Sequence, residues 1–128
     1  MNIRYTLLAL LLLGGMFAVA YSAQAFTNNV CDKTQAGITE ALDYAQNGRF
    51  EESADCISDL AAALARKKVI FTIVQHHSYV DSIIAALGRA EICARAGEAS
   101  AMELELASAA LEITSLAGRD QLTLGNIF

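Results

Sequence analysis

Cysteine and histidine are the residues of this sequence with the widest chemistry, and there are few of either. The three cysteines are Cys31, Cys56 and Cys93, and the two histidines, His76 and His77, are adjacent. Adjacent side chains point in different directions, so a metal held by this pair would need other ligands, and no spacing here matches a zinc or haem pattern. We therefore expect no metal and no cofactor, and a structural role for both histidines in a turn.

Two alternative activities use the same turn. His77 lies next to Ser78 and close to Asp81, the residue types of a hydrolytic triad, but triads are defined by spatial geometry. Ser78 to Asp81 also has the pattern of a helix capping box. The sequence contains no glycine-rich phosphate loop and no nucleophile elbow, so it favours a protein that is not an enzyme. A hydrolase, and a carrier of a metal or small ligand on the histidines and Cys31, are the alternatives.

These residues must be positioned by helices. The chain has no proline, and alanine, leucine and glutamate dominate after the first 25 residues. We expect four helices, at about 29–47, from 49 through 74, from 78 to a turn at 97, and 98–117, with Gly48, Gly97 and Gly118 at their ends. The predicted fold is all-α, either a four-helix antiparallel bundle or two stacked helical hairpins.

One segment of the second helix is ambiguous. Residues 69–74 are β-branched and apolar, as in a buried strand, but no second segment could pair with them, so we expect a helix. Such an apolar stretch is a candidate surface for a partner protein, and it fits an ordinary core segment equally well. The candidate contact residues are Val69, Ile70, Phe71, Ile73 and Val74.

A disulfide is expected between Cys56 and Cys93. If the second and third helices are antiparallel about a turn near residues 74–76, residues at one level have numbers that total about 149 to 150, as these two do. That match would bring their α-carbons within disulfide reach if the helix faces agree. The bond would stabilise the fold by about 3 to 4 kcal/mol. Two separately buried thiols are the alternative, and Cys31 is left either free or intermolecular.

The first 25 residues have the composition of an export signal. Arg4 precedes an apolar stretch from Leu7 to Ala20, and Ala23-Gln24-Ala25 is a small-x-small cleavage pattern. The pattern favours cleavage after Ala25, leaving a single helical domain of residues 26–128. An uncleaved anchor is the alternative, because the apolar stretch approaches the roughly 20 residues that span a bilayer. Either form places the domain outside the cytoplasm.

The charge of the domain restricts its partners. Residues 26–128 carry fourteen acidic and eight basic side chains, a net charge of −6. Such a chain repels phosphate backbones, and its only basic cluster is Arg66-Lys67-Lys68, which is typical of a solvated helix face. We expect no nucleic-acid partner, and a membrane partner only if the leader is retained.

From about Leu60 onward the chain resembles a bacterial family known as a domain of unknown function, DUF4363. The resemblance rests on residues 76–83, on Leu87-Gly88-Arg89-Ala90, on the glycine turn and alanine-rich helix that follow, and on residues 122–128. It implies a short helical protein behind an amino-terminal signal or anchor, with no assigned activity. It also implies that Ile127 and Phe128 fold back onto the bundle.

The sequence as a whole therefore predicts a non-enzymatic, extracytoplasmic helical module. Its expected role is to bind another protein of the cell envelope, whose identity nothing in the sequence specifies.

Overall fold

The computed structural model describes residues 2–73 and 77–127, with side chains at 2–71 and 78–118. Within these ranges it contains four helices and no strand: α1 Ile3–Gln46, α2 Phe50–Ile73, α3 His77–Arg95 and α4 Ala99–Ile127. Each helix packs against the next, and α4 returns to α1. The all-α prediction is confirmed, and this closure corresponds to a four-helix bundle rather than two stacked hairpins.

Contacts between α1 and α2 show that the two helices are antiparallel. The rings of Phe26 and Phe71 lie 5.4 Å apart at one end of the pair. Toward the other end, the hydroxyl of the buried Ser53 donates to the Ala41 carbonyl oxygen at 2.7 Å. Residue numbers therefore rise along α1 as they fall along α2, and the bond to Ala41 satisfies the buried hydroxyl, which would otherwise destabilise the core.

Two glycine turns close the hairpins as the sequence predicts. Gly48 and Gly97 have φ angles of +75° and +72°, in the left-handed region that side chains disfavour. In the first turn the amides of Gly48 and Arg49 donate to the carbonyls of Ala45 and Tyr44, at 3.0 and 2.9 Å. The second turn repeats this Schellman pattern, which satisfies carbonyls that the helix end leaves unpaired.

The core is built from positions that recur every three or four residues, the spacing of coiled-coil packing. In α4 the buried positions are those that the periodicity predicts, which are Met102, Leu106, Ala109, Ile113 and Leu116. In α1 the stripe starts only after the leader, at Thr27, Val30, Cys31, Thr34, Ile38, Ala41 and Ala45. Many of these side chains are small, so the helices approach closely.

Two predicted helix boundaries are wrong. The first helix does not begin near Asn29, because the backbone is helical without interruption from Ile3. The fourth helix does not end at Gly118 and continues to Ile127. A glycine inside a helix costs about 1 kcal/mol relative to alanine, which neighbouring strong helix formers can offset, so a glycine alone does not end a helix. The side chains of Ile127 and Phe128, predicted to pack on the bundle, lie outside the described residues.

The first half of α1 extends beyond the bundle. Its large apolar side chains from Ile3 to Tyr21 are exposed, and an 18-residue window in this helix has a mean hydropathy of 2.0 with none of it buried. By length and composition this segment can cross a membrane, and a signal sequence has the same properties.

A glycine in a left-handed turn and a glycine inside a helix give opposite stability predictions. We expect Gly48→Ala to lower the free energy of unfolding by about 1 to 2 kcal/mol, because alanine would be held in the left-handed region. We expect Gly88→Ala to raise it by about 0.4 to 1 kcal/mol, since Gly88 lies inside α3 with open space at its Cβ position. Chemical denaturation of both variants checks this. A Gly48→Ala protein as stable as the parent would contradict the turn assignment.

Candidate functional site

An open groove of about 610 Å³ runs between α1 and α2, and it contains the Cys56 side chain. The thiol of Cys56 donates to the carbonyl oxygen of Gly37, at 3.5 Å. At Gly37 a side chain would overlap the Leu60 methyl groups, so glycine is what permits this close approach of the two helices. The groove therefore places a half-buried thiol against the backbone of α1.

The groove carries an excess of negative charge. Its lining contains Lys33 and four carboxylates, at Glu40, Glu52, Asp55 and Asp59, of which Glu52 pairs with Arg49 and Asp55 with Arg95. Burial, and then the charges of Glu40 and Asp59, raise the pKa of the Cys56 thiol. The thiol is therefore protonated at neutral pH and is a weak nucleophile.

An aromatic and charged cluster orders the end of the groove that lies nearest the Gly48 turn. The Tyr44 hydroxyl donates to Glu40 at 3.3 Å, and the Arg49 guanidinium lies 4.9 Å from the centre of the Tyr44 ring while it pairs with Glu52. The negative charge of Glu40 is the main reason that the pKa of Tyr44 is raised. These groups are bonded to one another, so the cluster organises the end of the groove.

The predicted disulfide is not confirmed, because Cys56 and Cys93 are thiols that do not lie at disulfide distance. The predicted level is correct: Lys68 pairs with Asp81 at 2.7 Å, and the numbers of these two residues total 149. The faces disagree, since Cys56 points toward α1 while α3 packs on another side of α2. The expected antiparallel register gave the level of the two cysteines along their helices, but not the directions in which their side chains point.

Cys31 lies in the core between α1 and α4. Its buried thiol lies 3.8 Å from the Ile113 carbonyl oxygen, and the Gln35 side-chain amide donates to the Ala110 carbonyl oxygen at 3.2 Å one turn further along. These contacts also show that α4 is antiparallel to α1. Cys31 therefore packs within the protein, and this placement does not favour its predicted use as a ligand beside the histidine turn.

The histidine turn is only partly described. His76 lies outside the described residues, and His77 is the first residue of α3, with a side chain that is not described. Asp81 of the suggested triad pairs with Lys68. Among the described residues, no group of three or more histidine, cysteine, aspartate or glutamate side chains could hold a metal.

The suspected contact segment of α2 has two faces. Val69 and Ile70 are 70% and 46% exposed, but Phe71 is fully buried against Phe26, so the prediction that it contacts a partner is wrong. Phe71 is needed in the core because it fills the space at which α1 enters the bundle. The Ile73 side chain and Val74 lie outside the described residues.

Ile70 also faces the leader. It lines an open groove of about 470 Å³ with residues of α1, namely Ala18, Val19, Ser22, Ala23 and Phe26. This contact cannot be predicted from the sequence, in which the leader and the domain are separate segments. Only the continuity of α1 through residues 18–26 places the two segments side by side.

The outer face of α4 holds a second exposed apolar feature. Leu104 and Leu111 are 72% and 71% exposed, and they are two turns apart on one side of the helix. Ala107 and Ser108 lie exposed between them, so this uncharged strip is continuous. We call these four residues the α4 strip.

Comparison with known families gives one match. The model of a family described as a domain of unknown function, DUF4363, matches residues 21–127. The chain belongs to the DUF4363 family. No curated protein and no solved structure matches the chain significantly.

The DUF4363 match is longer than the resemblance in the sequence, which started near Leu60. It begins at residue 21, inside α1, and includes the predicted cleavage pattern at Ala23-Gln24-Ala25. The DUF4363 domain therefore contains the whole four-helix bundle, together with the segment of α1 at which the leader meets it.

The acidic groove gives a test of the Cys56 environment. Since its pKa is raised, we expect native Cys56 to react with iodoacetamide at neutral pH more slowly than in the unfolded chain, and faster as the pH rises. Glu40→Gln should lower the pKa and speed the reaction, whereas Glu103→Gln, on the exposed surface of α4, should not. Peptide mapping by mass spectrometry follows residue 56 alone. Equal rates in native and unfolded protein would contradict the assignment.

Proposed function

We propose that this protein is a non-enzymatic helical module that is exported, retained by the apolar half of α1 in the cytoplasmic membrane, and binds another envelope protein at the outer face. The observation that carries the proposal is α1 itself. One helix of 44 residues has an apolar, fully exposed first half and a second half that is a structural member of the bundle.

The exposed half has the dimensions and end residues of a membrane span. From Ile3 to Tyr21 a helix rises about 28 Å, close to the roughly 30 Å of a bilayer's hydrocarbon core. Tyr5 and Tyr21, 71% and 76% exposed, stand at its two ends, where aromatic residues favour the membrane interfaces. Arg4 lies at the amino-terminal end of the span, so the positive-inside rule orients the bundle outward.

Retention of the leader also suits the packing around the cleavage pattern. Cleavage after Ala25 would create a charged amino terminus at Phe26, next to the fully buried Thr27. It would remove Ala23, whose carbonyl oxygen accepts the Thr27 hydroxyl at 3.0 Å, and would free the first helical amides. These losses favour an anchor. The sequence pattern, by contrast, favours a cleaved signal.

Partner binding is supported by the α4 strip. Exposed leucines two turns apart, with only alanine and serine between them, form an apolar helix face that a partner helix could cover. The state of the two candidate reactive side chains, Cys56 and Asp81, favours a role other than catalysis. Cys56 has a raised pKa, and Asp81 is paired with Lys68.

The anchor is tested by the mass and location of the full chain expressed in a bacterium. We expect the protein in the membrane fraction after an alkaline carbonate wash, with the intact mass of the whole 13.6 kDa chain. The control is Ala23→Leu/Ala25→Leu, which destroys the small-x-small pattern and should leave the mass of the retained protein otherwise unchanged. A soluble product that begins at Phe26 in the parent, and not in the control, would show that the leader is cleaved.

The interaction role is tested on the α4 strip. We expect Leu104→Glu/Leu111→Glu to abolish photo-cross-links that the parent forms from position 107 in intact cells, because charge disfavours apolar docking. Ala62→Glu/Ser82→Glu adds the same charge at exposed sites on α2 and α3 and should preserve them. The same cross-links in both variants would contradict binding through α4.

A further inference from the structure

The anchor leaves the bundle at the end where α2 finishes. Phe26 of α1 lies against Phe71, two residues before the end of α2 at Ile73. Since the helices are antiparallel and rise 1.5 Å per residue, residue 24 is level with the end of α2, and the part of α1 before it extends past α2. An anchored protein therefore holds this end of the bundle against the bilayer, and an inference about this end rests on the proposed anchor.

Four residues of α2 make up what we call the membrane-proximal patch: Arg66, Lys67, Val69 and Ile70. Arg66, Val69 and Ile70 share one helix face, since they are three and four residues apart, and all three are exposed. Lys67 is half-buried on the side toward α1. The buried residues Leu64 and Phe71 lie on the other side of the helix from Arg66 and Val69, whereas Lys67, three and four residues from them, lies next to their face.

The patch lies at the depth of the lipid headgroups. Ile70 lines a groove with residues 18–26 of α1, a stretch that runs from about 4 Å before Tyr21 to about 8 Å beyond it. The interfacial region on each side of the hydrocarbon core is about 5 to 8 Å thick. Ile70 therefore lies within this region, with Val69 next to it, and the basic residues lie about one turn further from the hydrocarbon core. Long basic side chains with apolar stems are suited to that position.

The charge pattern of the patch matches an anionic surface. The chain has a net charge of −5, yet three successive basic residues, Arg66-Lys67-Lys68, occur beside this end of the bundle. Lys68 pairs with Asp81 of α3, whereas Arg66 is exposed and Lys67 is half-buried. Basic residues above exposed apolar ones are the arrangement by which helices lie on anionic membranes.

We infer that the membrane-proximal patch is a lipid-binding site: Val69 and Ile70 insert at the boundary between headgroups and acyl chains, and Arg66 and Lys67 bind the phosphates of anionic phospholipids. This contact continues the exposed apolar surface of α1 through the groove beside Ile70. It holds the bundle upright on the membrane, whereas the anchor alone would leave the angle between bundle and bilayer unconstrained.

The absence of tryptophan from the chain makes the test direct. Full-length Val69→Trp is reconstituted into vesicles of phosphatidylcholine and phosphatidylglycerol that contain lipids brominated near the headgroup end of the acyl chain. We expect blue-shifted emission and quenching of about twofold or more, as for a side chain buried in the interface. Leu104→Trp is the matched control, because Leu104 is equally exposed but lies near the far end of the bundle, and it should show neither effect.

Two further variants separate the possible failures. Leu12→Trp, in the middle of the apolar half of α1, reports on the anchor; its quenching without quenching of Val69→Trp would overturn the inference and leave the anchor intact. Arg66→Glu/Lys67→Glu in the Val69→Trp background should reduce the quenching, as should vesicles of phosphatidylcholine alone. A blue shift at position 69 without quenching would show contact with protein, such as a second copy, and would also overturn the inference.

Discussion

A single helix, α1, has two halves with different surfaces. Up to Tyr21 its apolar side chains face outward in every direction, and from Thr27 onward only one stripe is apolar and buried. The change from an all-round apolar surface to a one-sided stripe is the change expected where a helix passes from lipid into a water-surrounded bundle. The few residues between these two points determine where α2 must end and which of its side chains meet the leader.

Close packing of small side chains holds the remaining helices around α1. Alanine occupies core positions on all four helices, and Gly37 lets α2 approach so closely that the Leu60 methyl groups fill the place of a side chain. Small residues bury little apolar area each, so a bundle of this kind depends on long helices and many contacts. The buried Ser53 hydroxyl is compatible with such a core because the Ala41 carbonyl oxygen is near enough to accept its hydrogen bond.

The sequence predicts those parts of the fold that depend on local chemistry. Gly48 and Gly97 end helices because their backbone adopts positive φ, and the core positions of α4 follow from its periodicity. Gly118 shows the limit of this reasoning: a glycine marks a helix end only where the chain turns, and whether it turns depends on what the rest of α4 packs against. The start of α1 was missed for a related reason, since an export signal and a structural helix have the same composition there.

The prediction of a Cys56–Cys93 disulfide used the level of the two residues along their helices, but it could not use the directions in which their side chains point. The Lys68–Asp81 pair has the predicted antiparallel register between α2 and α3, but a disulfide also requires that both side chains point into the same interface. The rotation of a helix about its own axis depends on all the helices that it packs against. With α1 expected to begin after a removed leader, its packing against α2, and so the direction of the Cys56 side chain, could not be predicted.

With its cysteines held as separate thiols, the bundle depends on helix packing for its stability, and this connects folding to the leader. Residues 18–26 of α1 cover one side of Ile70, and Phe26 covers the fully buried Phe71. Removal of residues 1–25 would uncover part of this apolar surface and would place a charged amino terminus beside it, both of which cost stability. A retained leader avoids both costs, because the same residues that approach the bilayer then close this end of the core. In the proposed anchored protein, anchoring and packing therefore depend on the same short stretch of α1.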